Sequence, residues 1–465
     1  MAGTAQRYDA IVIGAGQGGV PLARALAASG RATLLIEEKH VGGTCINEGC
    51  TPTKTMVASA RVAYLARRAA DYGVQTGPIS IDMRTVRQRK RDIVESFRGG
   101  SERRLRATPN LTLVAAHARF VGPRTVEVTA PDSGAQVAGA DWIFINTGGR
   151  PSLPPIPGLT DVPFLDSTTI MELDAVPQHL LVLGGGYIGL EFGQMMRRFG
   201  SRVTMVQRAP VLLPQEDPEI CGALAQILSE DGVEILLGAN TTAVSATPAG
   251  SIRAAVQAAD GARDLEASHV LVAAGRKPNT EGLNLAAANV EVDARGFVRA
   301  NERLETSAEG VFVVGDVKGG PAFTHISYDD FRILRTNLLE GGQATTAGRV
   351  VPYTLFTDPQ LGRVGMTERE ARQRGHDVAV ATMPMTSVAR ALEMAESRGL
   401  MKAIVDRPTG RMLGAAVLGI EGGELMAVLE VAMMGGVTVD RLREATFAHP
   451  TLAESLNNLF ATLPG

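Results

Sequence analysis

Ala10-Ile11-Val12-Ile13-Gly14-Ala15-Gly16-Gln17-Gly18-Gly19 sets four apolar residues against a glycine-rich turn, and an alanine-rich stretch to about Ser29 comes next. A short apolar run into glycines and then a helical pattern is the opening of a βαβ unit. The next strand, residues 32–36, ends on Glu37. The pattern returns at Leu180-Leu181-Val182-Leu183-Gly184-Gly185-Gly186-Tyr187-Ile188-Gly189, with a helix to Phe199 and a strand over 202–206. Two such openings predict two doubly wound, parallel-sheet domains of α/β class. Pro151, Pro154, Pro155 and Pro157 mark the link between them. Beyond Arg349 short β-type runs precede a helix over 424–434, the pattern of a separate α+β module. The expected divisions are a first nucleotide domain over 1–150, a second over 151–278, a return to the first over 279–349, and a C-terminal module over 350–465.

The glycines carry mechanical meaning because each triplet follows a strand and opens a helix. Gly14 and Gly184 make the turn, Gly16 and Gly186 admit a pyrophosphate, and Gly19 and Gly189 let helix and strand pack. The residue ending the second strand tells the sites apart. Glu37, 23 positions after Gly14, offers a carboxylate to a free ribose 2′-OH, which suits FAD or NAD. The second site ends Val206-Gln207-Arg208 without an acid. An amide beside a guanidinium suits a 2′-phosphate, so NADPH is expected there, with NADH the alternative.

The chain of 465 residues is 45% hydrophobic and 20% charged, enough for several real cores. A formal charge of −3 leaves no electrostatic footprint for nucleic acid. The arginine-dense stretch over 84–106 is broken by Asp92, Glu95 and Glu102, and reads as a solvated helix face. No apolar run approaches the roughly 18 residues of a membrane helix, and no signal-peptide pattern opens the chain. A cytoplasmic protein without a membrane partner is expected.

Three cysteines are too few for a secreted disulfide scaffold. Cys221 reads as a small buried hydrophobe. Cys45 and Cys50 lie in Gly42-Gly43-Thr44-Cys45-Ile46-Asn47-Glu48-Gly49-Cys50-Thr51-Pro52-Thr53-Lys54. Regular helix would hold residues five apart at roughly 8–9 Å between Cα atoms, whereas a disulfide tolerates about 7 Å. A bonded pair therefore needs a distorted turn, with Gly49 supplying slack. Zinc would want about four ligands, and no second Cys/His cluster is present. Redox chemistry outweighs a structural bridge or a metal, and its position after Glu37 sets the pair against the first dinucleotide, where a flavin is the fitting electron partner.

These residues resemble the class I pyridine nucleotide-disulfide oxidoreductases, the group of glutathione reductase, dihydrolipoamide dehydrogenase, mycothione reductase and mercuric reductase. Further markers are Asn146-Thr147-Gly148-Gly149-Arg150-Pro151, Ala274-Gly275-Arg276-Lys277-Pro278-Asn279, Gly315-Asp316 and His449-Pro450-Thr451-Leu452-Ala453-Glu454. The resemblance covers essentially the whole chain and implies a C-terminal dimerisation domain and an obligate homodimer. It implies FAD held by Gly14, Gly16, Gly19, Glu37, Gly43, Thr44, Ala118, Thr147, Gly148 and Asp316. Gly184, Gly186, Gly189, Gln207, Arg208 and Gly275 fall to the nucleotide sites. Lys54 would pair with Glu191 near the flavin, and Tyr187 would gate the nicotinamide. Cys50 would face the flavin, Cys45 would attack the substrate disulfide, and His449, oriented by Glu454, would carry the proton.

The substrate is expected to be a low-molecular-weight disulfide. Arg24 and Arg332 match places where glutathione reductases use arginines, but read first as surface residues. Dihydrolipoamide dehydrogenases usually carry an acid where Gln207 stands. Mercuric reductases carry a second cysteine pair near the C-terminus, absent from Thr462-Leu463-Pro464-Gly465. Dihydrolipoamide dehydrogenase, a metal reductase of the mercuric type and a flavin oxidase are the alternatives.

Overall fold

The computed structural model describes residues 6–131 and 134–463. The chain divides into two compact units. The first takes the chain up to Thr55, then Thr85–Ser152 and Gly275–Arg349; the second takes Met56–Arg84, Leu153–Ala274 and the chain from Val350.

At the centre of the first unit the strand Gln6–Ile13 pairs in parallel with Thr33–Glu37 on one side and Gly134–Ile145 on the other. Leu111–Ala115 extends the parallel sheet beyond Thr33–Glu37, and Val311–Val313 pairs with Gly134–Ile145. His117–Gly122 and Thr125–Ala130 complete seven strands as an antiparallel meander. Ala10, Ile11, Val12 and Ile13 are all buried because both sheet faces are covered. Strand alternation divides them: Ile11 and Ile13 join a core with Phe120 and Ile143, while Ala10 and Val12 join another with Leu22 and Phe144. Gly19–Ala28 lies on the second face through Leu22, Ala23 and Leu26. This unit sets the ends of Gln6–Ile13 and Thr33–Glu37 side by side, where the glycine loop and Glu37 meet.

In the second unit His179–Leu183 pairs in parallel with Arg202–Gln207 and His269–Val272. Val233–Leu237 and Phe164–Leu165 are the outer strands. A three-stranded antiparallel sheet comes next; its middle strand, Ile252–Ala258, alternates buried and exposed residues, the mark of one covered face. The C-terminal part is a five-stranded antiparallel sheet running from Tyr353–Leu355 to Val378–Pro384. Helices Gly422–Met434 and Ser455–Ala461 supply Leu425, Leu429, Leu456 and Phe460 to its core. The short β-type runs of the sequence are strands here, each a few residues longer than its apolar stretch. Among the described residues no helix is long and apolar enough to cross a membrane.

Candidate functional site

The first glycine loop is fixed by close approach. Gly14 has φ +103°, and a Cβ there would stand 2.4 Å from the Asn146 carbonyl oxygen. A Cβ on Gly19 would fall 2.1 Å from the Gly14 carbonyl oxygen, so only glycine lets helix Gly19–Ala28 start so near the strand. Gly16 meets only the Asn146 side-chain amide, at 3.1 Å. No side chain caps the helix at its N-terminus, which leaves its first amides for an anion. Glu37 closes the loop: Oε2 accepts the Ala15 amide at 2.8 Å and Oε1 the Lys39 amide at 2.9 Å.

Onto this loop the chain stitches the cysteine segment. The Gly42 amide donates to the Ala15 carbonyl at 2.8 Å, and the Gln17 side chain donates to the Gly42 carbonyl at 3.0 Å. A Cβ on Gly43 would lie 2.8 Å from the Gly16 Cα. Thr44 and Cys45 sit in the short helix Gly43–Asn47, which breaks at Glu48 with φ −138°. Cys50 then starts the 18-residue helix Cys50–Arg67. The distorted turn expected from the spacing is thus a break between two helices. Gly49 serves it by space, since its Cβ would stand 2.9 Å from the Thr44 carbonyl oxygen.

The two sulfurs are unbridged thiols in unlike settings. Cys45 is half-buried, and its thiol is pushed far up from the ordinary range, first by its hydrogen bond with Cys50 and then by burial. Cys50 is exposed at the head of a long helix, where the positive end of the dipole favours a thiolate. Its Sγ lies 3.4 Å from the Thr324 hydroxyl, on the first residue of helix Thr324–Leu339. Burial and the hydrogen bond favour the proton on Cys45, and the helix head favours the anion on Cys50.

Elsewhere in this unit Thr147 and Asn279 bond reciprocally, each side chain donating to the other's carbonyl at 2.8 Å. Gly148, with φ +65°, leads into Gly149–Pro151, which pairs with Arg276–Pro278. The Gly275 carbonyl accepts the Ser152 amide at 2.9 Å. Ala118 is buried in the sheet core, its methyl among apolar side chains. The Asp316 carboxyl is pushed up by burial, against Arg276 and Lys318. Asp330, fully buried, accepts the Gly315 amide at 2.9 Å and pairs with Lys318 at 3.3 Å and Arg349 at 2.9 Å. Asp330 and Asn146 were not singled out as site residues from sequence. Their partners lie 15 and 132 positions away, and no local signal named them. Arg24 is exposed, and Arg332 is exposed with its guanidinium 5.0 Å from the Tyr328 ring centre.

The second glycine loop repeats the first. A Cβ on Gly184, φ +118°, would stand 2.5 Å from the Ala273 carbonyl oxygen, and one on Gly189 would stand 2.0 Å from that of Gly184. Gly186 faces open space at the uncapped head of helix Tyr187–Phe199. The Gln207 side-chain oxygen Oε1 accepts the Gly185 amide at 3.0 Å, and Arg208 beside it is exposed. The Tyr187 hydroxyl accepts from Gln215 at 2.9 Å, its ring set edge-on to Tyr353 at 5.4 Å. Burial pushes that phenol up. Glu191, buried on the same helix, accepts the Phe356 amide at 2.9 Å. Cys221 is buried, with its thiol 3.4 Å from the Leu213 carbonyl.

His449 and Glu454 form a built pair. The ring Nδ1 lies 2.9 Å from both carboxylate oxygens, which leaves Nε2 for a reaction partner. The His449 side chain is 69% exposed, so the dyad is presented at the surface of the unit.

Residues 8–330 match the model of the pyridine nucleotide-disulphide oxidoreductases, and residues 351–460 that family's dimerisation domain. The probable pyridine nucleotide-disulfide oxidoreductase RclA of Escherichia coli is 39% identical, with 98% of this chain and 99% of that protein aligned. A dihydrolipoyl dehydrogenase of Thermus scotoductus is 36% identical over 97% of this chain and 96% of its own. The solved structure described as HOCl-induced flavoprotein disulfide reductase RclA from Escherichia coli matches with TM-score 0.88 and 38% identity, over 98% of this chain and 99% of that one. A Cu(II) complex of the same protein matches with TM-score 0.89, 38% identity and the same coverage. The chain therefore belongs to the class I pyridine nucleotide-disulfide oxidoreductases and is an NAD(P)H-dependent disulfide reductase of that family.

Proposed function

We propose that this chain is a cytoplasmic homodimer that passes electrons from NADPH to a low-molecular-weight disulfide through Cys45 and Cys50. The observation that carries the reading is the unequal cysteine pair: a half-buried Cys45 beside an exposed Cys50 at a helix head, in a segment sewn to the first glycine loop through Gly42. The cradle that a Cβ on Gly14, Gly19 or Gly43 would fill, and the uncapped helix amides, fit the pyrophosphate of FAD. Bound FAD supplies the two-electron relay between nicotinamide and dithiol.

The chain's own residues do the rest. Glu37 would hold the ribose of the flavin's ADP half, and Asp316 its ribitol chain. Lys54 and Glu191 would be the charged groups at the flavin, and Tyr187 would cover the nicotinamide pocket. Gln207, which brings no carboxylate, and Arg208 accept a 2′-phosphate. In the reduced pair the Cys45 proton has to leave before its sulfur can attack. His449, held by Glu454 and brought by the other subunit of the homodimer as the family resemblance implies, takes that proton. Cys45 then bonds one sulfur of the substrate, whose S–S bond breaks, and the first thiol leaves with the proton from His449. Cys50 displaces the second half from Cys45 as a thiolate that takes its proton from water, closing the Cys45–Cys50 disulfide.

Rapid turnover of one oxidised thiol from a panel, with NADPH preferred to NADH, is the expected result. Full turnover of the natural acceptor by Cys45→Ser would overturn the reading. The relative described as a Cu(II) complex favours a second reading, a thiol-binding metal ion as acceptor. It predicts NAD(P)H oxidation driven by Cu(II) or Hg(II) with no disulfide of the panel turned over.

A further inference from the structure

A cleft of about 590 Å³ opens within the second unit, where the last turns of helices Cys50–Arg67 and Tyr187–Phe199 meet the segment 395–398. Five arginines line it: Arg67, Arg68, Arg197, Arg198 and Arg398. Helix C-termini attract cations, so some of this charge is expected. Two layers of the cleft differ in how much of that charge the protein itself neutralises.

The inner layer is neutralised. Arg198, with 4% of its side chain exposed, pairs with Asp231 at 3.2 Å and with Asp358. Arg398 pairs with Asp231 and Glu396, each at 2.7 Å. Tyr64 lies between them as an aromatic floor, its ring centre 3.8 Å from the Arg198 guanidinium carbon. Arg68 pairs with Asp71 at 3.2 Å and donates to the Tyr64 hydroxyl at 3.0 Å.

The outer layer is not. Arg67 donates through one Nη to the Arg198 carbonyl. Arg197 donates to the Asp231 carbonyl at 2.9 Å and the Ser201 carbonyl at 3.3 Å. Among the described residues neither guanidinium meets a carboxylate. Capping those carbonyls uses Nη1 of Arg67 and Nε and Nη1 of Arg197, so both forks keep donors to spare. Glu230, the lining acid outside the inner network, is exposed at the end of its helix and bonded to Gln226 at 2.8 Å. Two pinned guanidiniums facing an open volume make a receptor for an oxyanion.

We propose that this cleft binds a small doubly charged phosphate, held by Arg67 and Arg197. The volume of about 590 Å³ exceeds that of a bare phosphate and leaves room for an organic remainder, so the shared chemistry is a phosphate dianion, free or as a monoester. The site shares no residue with the nucleotide loops and is not used in the proposed reaction.

The test is calorimetric titration of the FAD-loaded enzyme carrying Arg208→Ala, which weakens phosphate binding at the nucleotide site. Inorganic phosphate and glucose 6-phosphate are titrated at constant ionic strength against sodium chloride. One saturable site is expected; tighter phosphate marks the free ion and tighter glucose 6-phosphate a phosphorylated metabolite. Arg67→Gln with Arg197→Gln should weaken it at least tenfold, and each alone at least threefold should the pair not retain flavin. No saturable binding, or affinity unchanged by these substitutions, overturns the proposal.

Discussion

The two glycine loops are nearly the same object built twice. Gly14 and Gly184 each turn under a carbonyl, at 2.4 and 2.5 Å from a would-be Cβ, and Gly19 and Gly189 each clear the carbonyl of the first glycine, at 2.1 and 2.0 Å. Even the tether is shared: Glu37 and Gln207 each close their loop by accepting the amide of the residue after the first glycine. They differ in charge and in the segment the chain delivers next. After Glu37 comes Cys45, sewn to the loop; after Gln207 come Gln215 and a buried acid, Glu216, beside Tyr187. The backbone device holds a nucleotide, and the segment after the second strand decides what chemistry the nucleotide meets.

Substituting the third glycine of each loop should break the molecule in different places. Gly19→Ala puts a methyl on a carbonyl and should cost flavin retention, and with it all turnover. Gly189→Ala should stay yellow while KM for NADPH rises by an order of magnitude or more, each 1.4 kcal/mol being about tenfold. Flavin absorbance after gel filtration and steady-state kinetics separate the outcomes. Loss of flavin from both would show that the loops are not independent.

Next in size is the proton carrier that only the cysteine region needs. His449→Gln should lower kcat for disulfide reduction by about 10²–10⁴-fold. NADPH should still bleach the flavin in a stopped-flow half-reaction. A loss in that half-reaction would place His449 elsewhere.

Charge at the tether comes third. Gln207→Glu restores in the second loop the carboxylate of the first and should shift the NADPH/NADH preference toward NADH by roughly tenfold or more. An unchanged ratio of kcat/KM values would remove Gln207 from cofactor choice.

The smallest effect concerns Glu216, whose carboxyl burial pushes up to about 7. Its Oε2 is buried without a hydrogen-bond partner, and Arg363, 3.8 Å away, bonds Asp217 instead. The folded state favours the protonated acid. The group's contribution to stability is therefore whole below the ordinary glutamate range, falls as pH rises through it, and is flat above about 7. Glu216→Gln should stabilise the protein by about 2–3 kcal/mol at pH 8 and by little at pH 4. Denaturant melts at the two pH values check this.

Much of this was legible in the sequence because it depends on neighbours along the chain. A strand, a glycine turn and a helix within 20 residues declare a loop, and the exchange of Glu37 for Gln207 is visible in the letters themselves. The cysteine spacing foretold a broken helix between Cys45 and Cys50. Partners brought from afar were not legible. Asn146 bonds Gly14 across 132 positions, and nothing local distinguishes it from a loop asparagine. Asp330 reads as a helix residue until Gly315 and Arg349 close on it. Gly49 seemed to serve conformational freedom, yet its reason is the nearness of Thr44. The arginine cleft draws on four separated segments, each of which alone is a solvated helix end or loop.

At the centre of the mechanism the two cysteines hold different offices. The most direct measurement is the long-wavelength absorbance of the flavin enzyme, in the native protein after anaerobic addition of two electrons, and in Cys45→Ser and Cys50→Ser with the flavin still oxidised. Absorbance between the Cys50 thiolate and flavin should appear in the first two and vanish in the third. The band surviving in Cys50→Ser, or its absence from the native enzyme, would contradict the assignment.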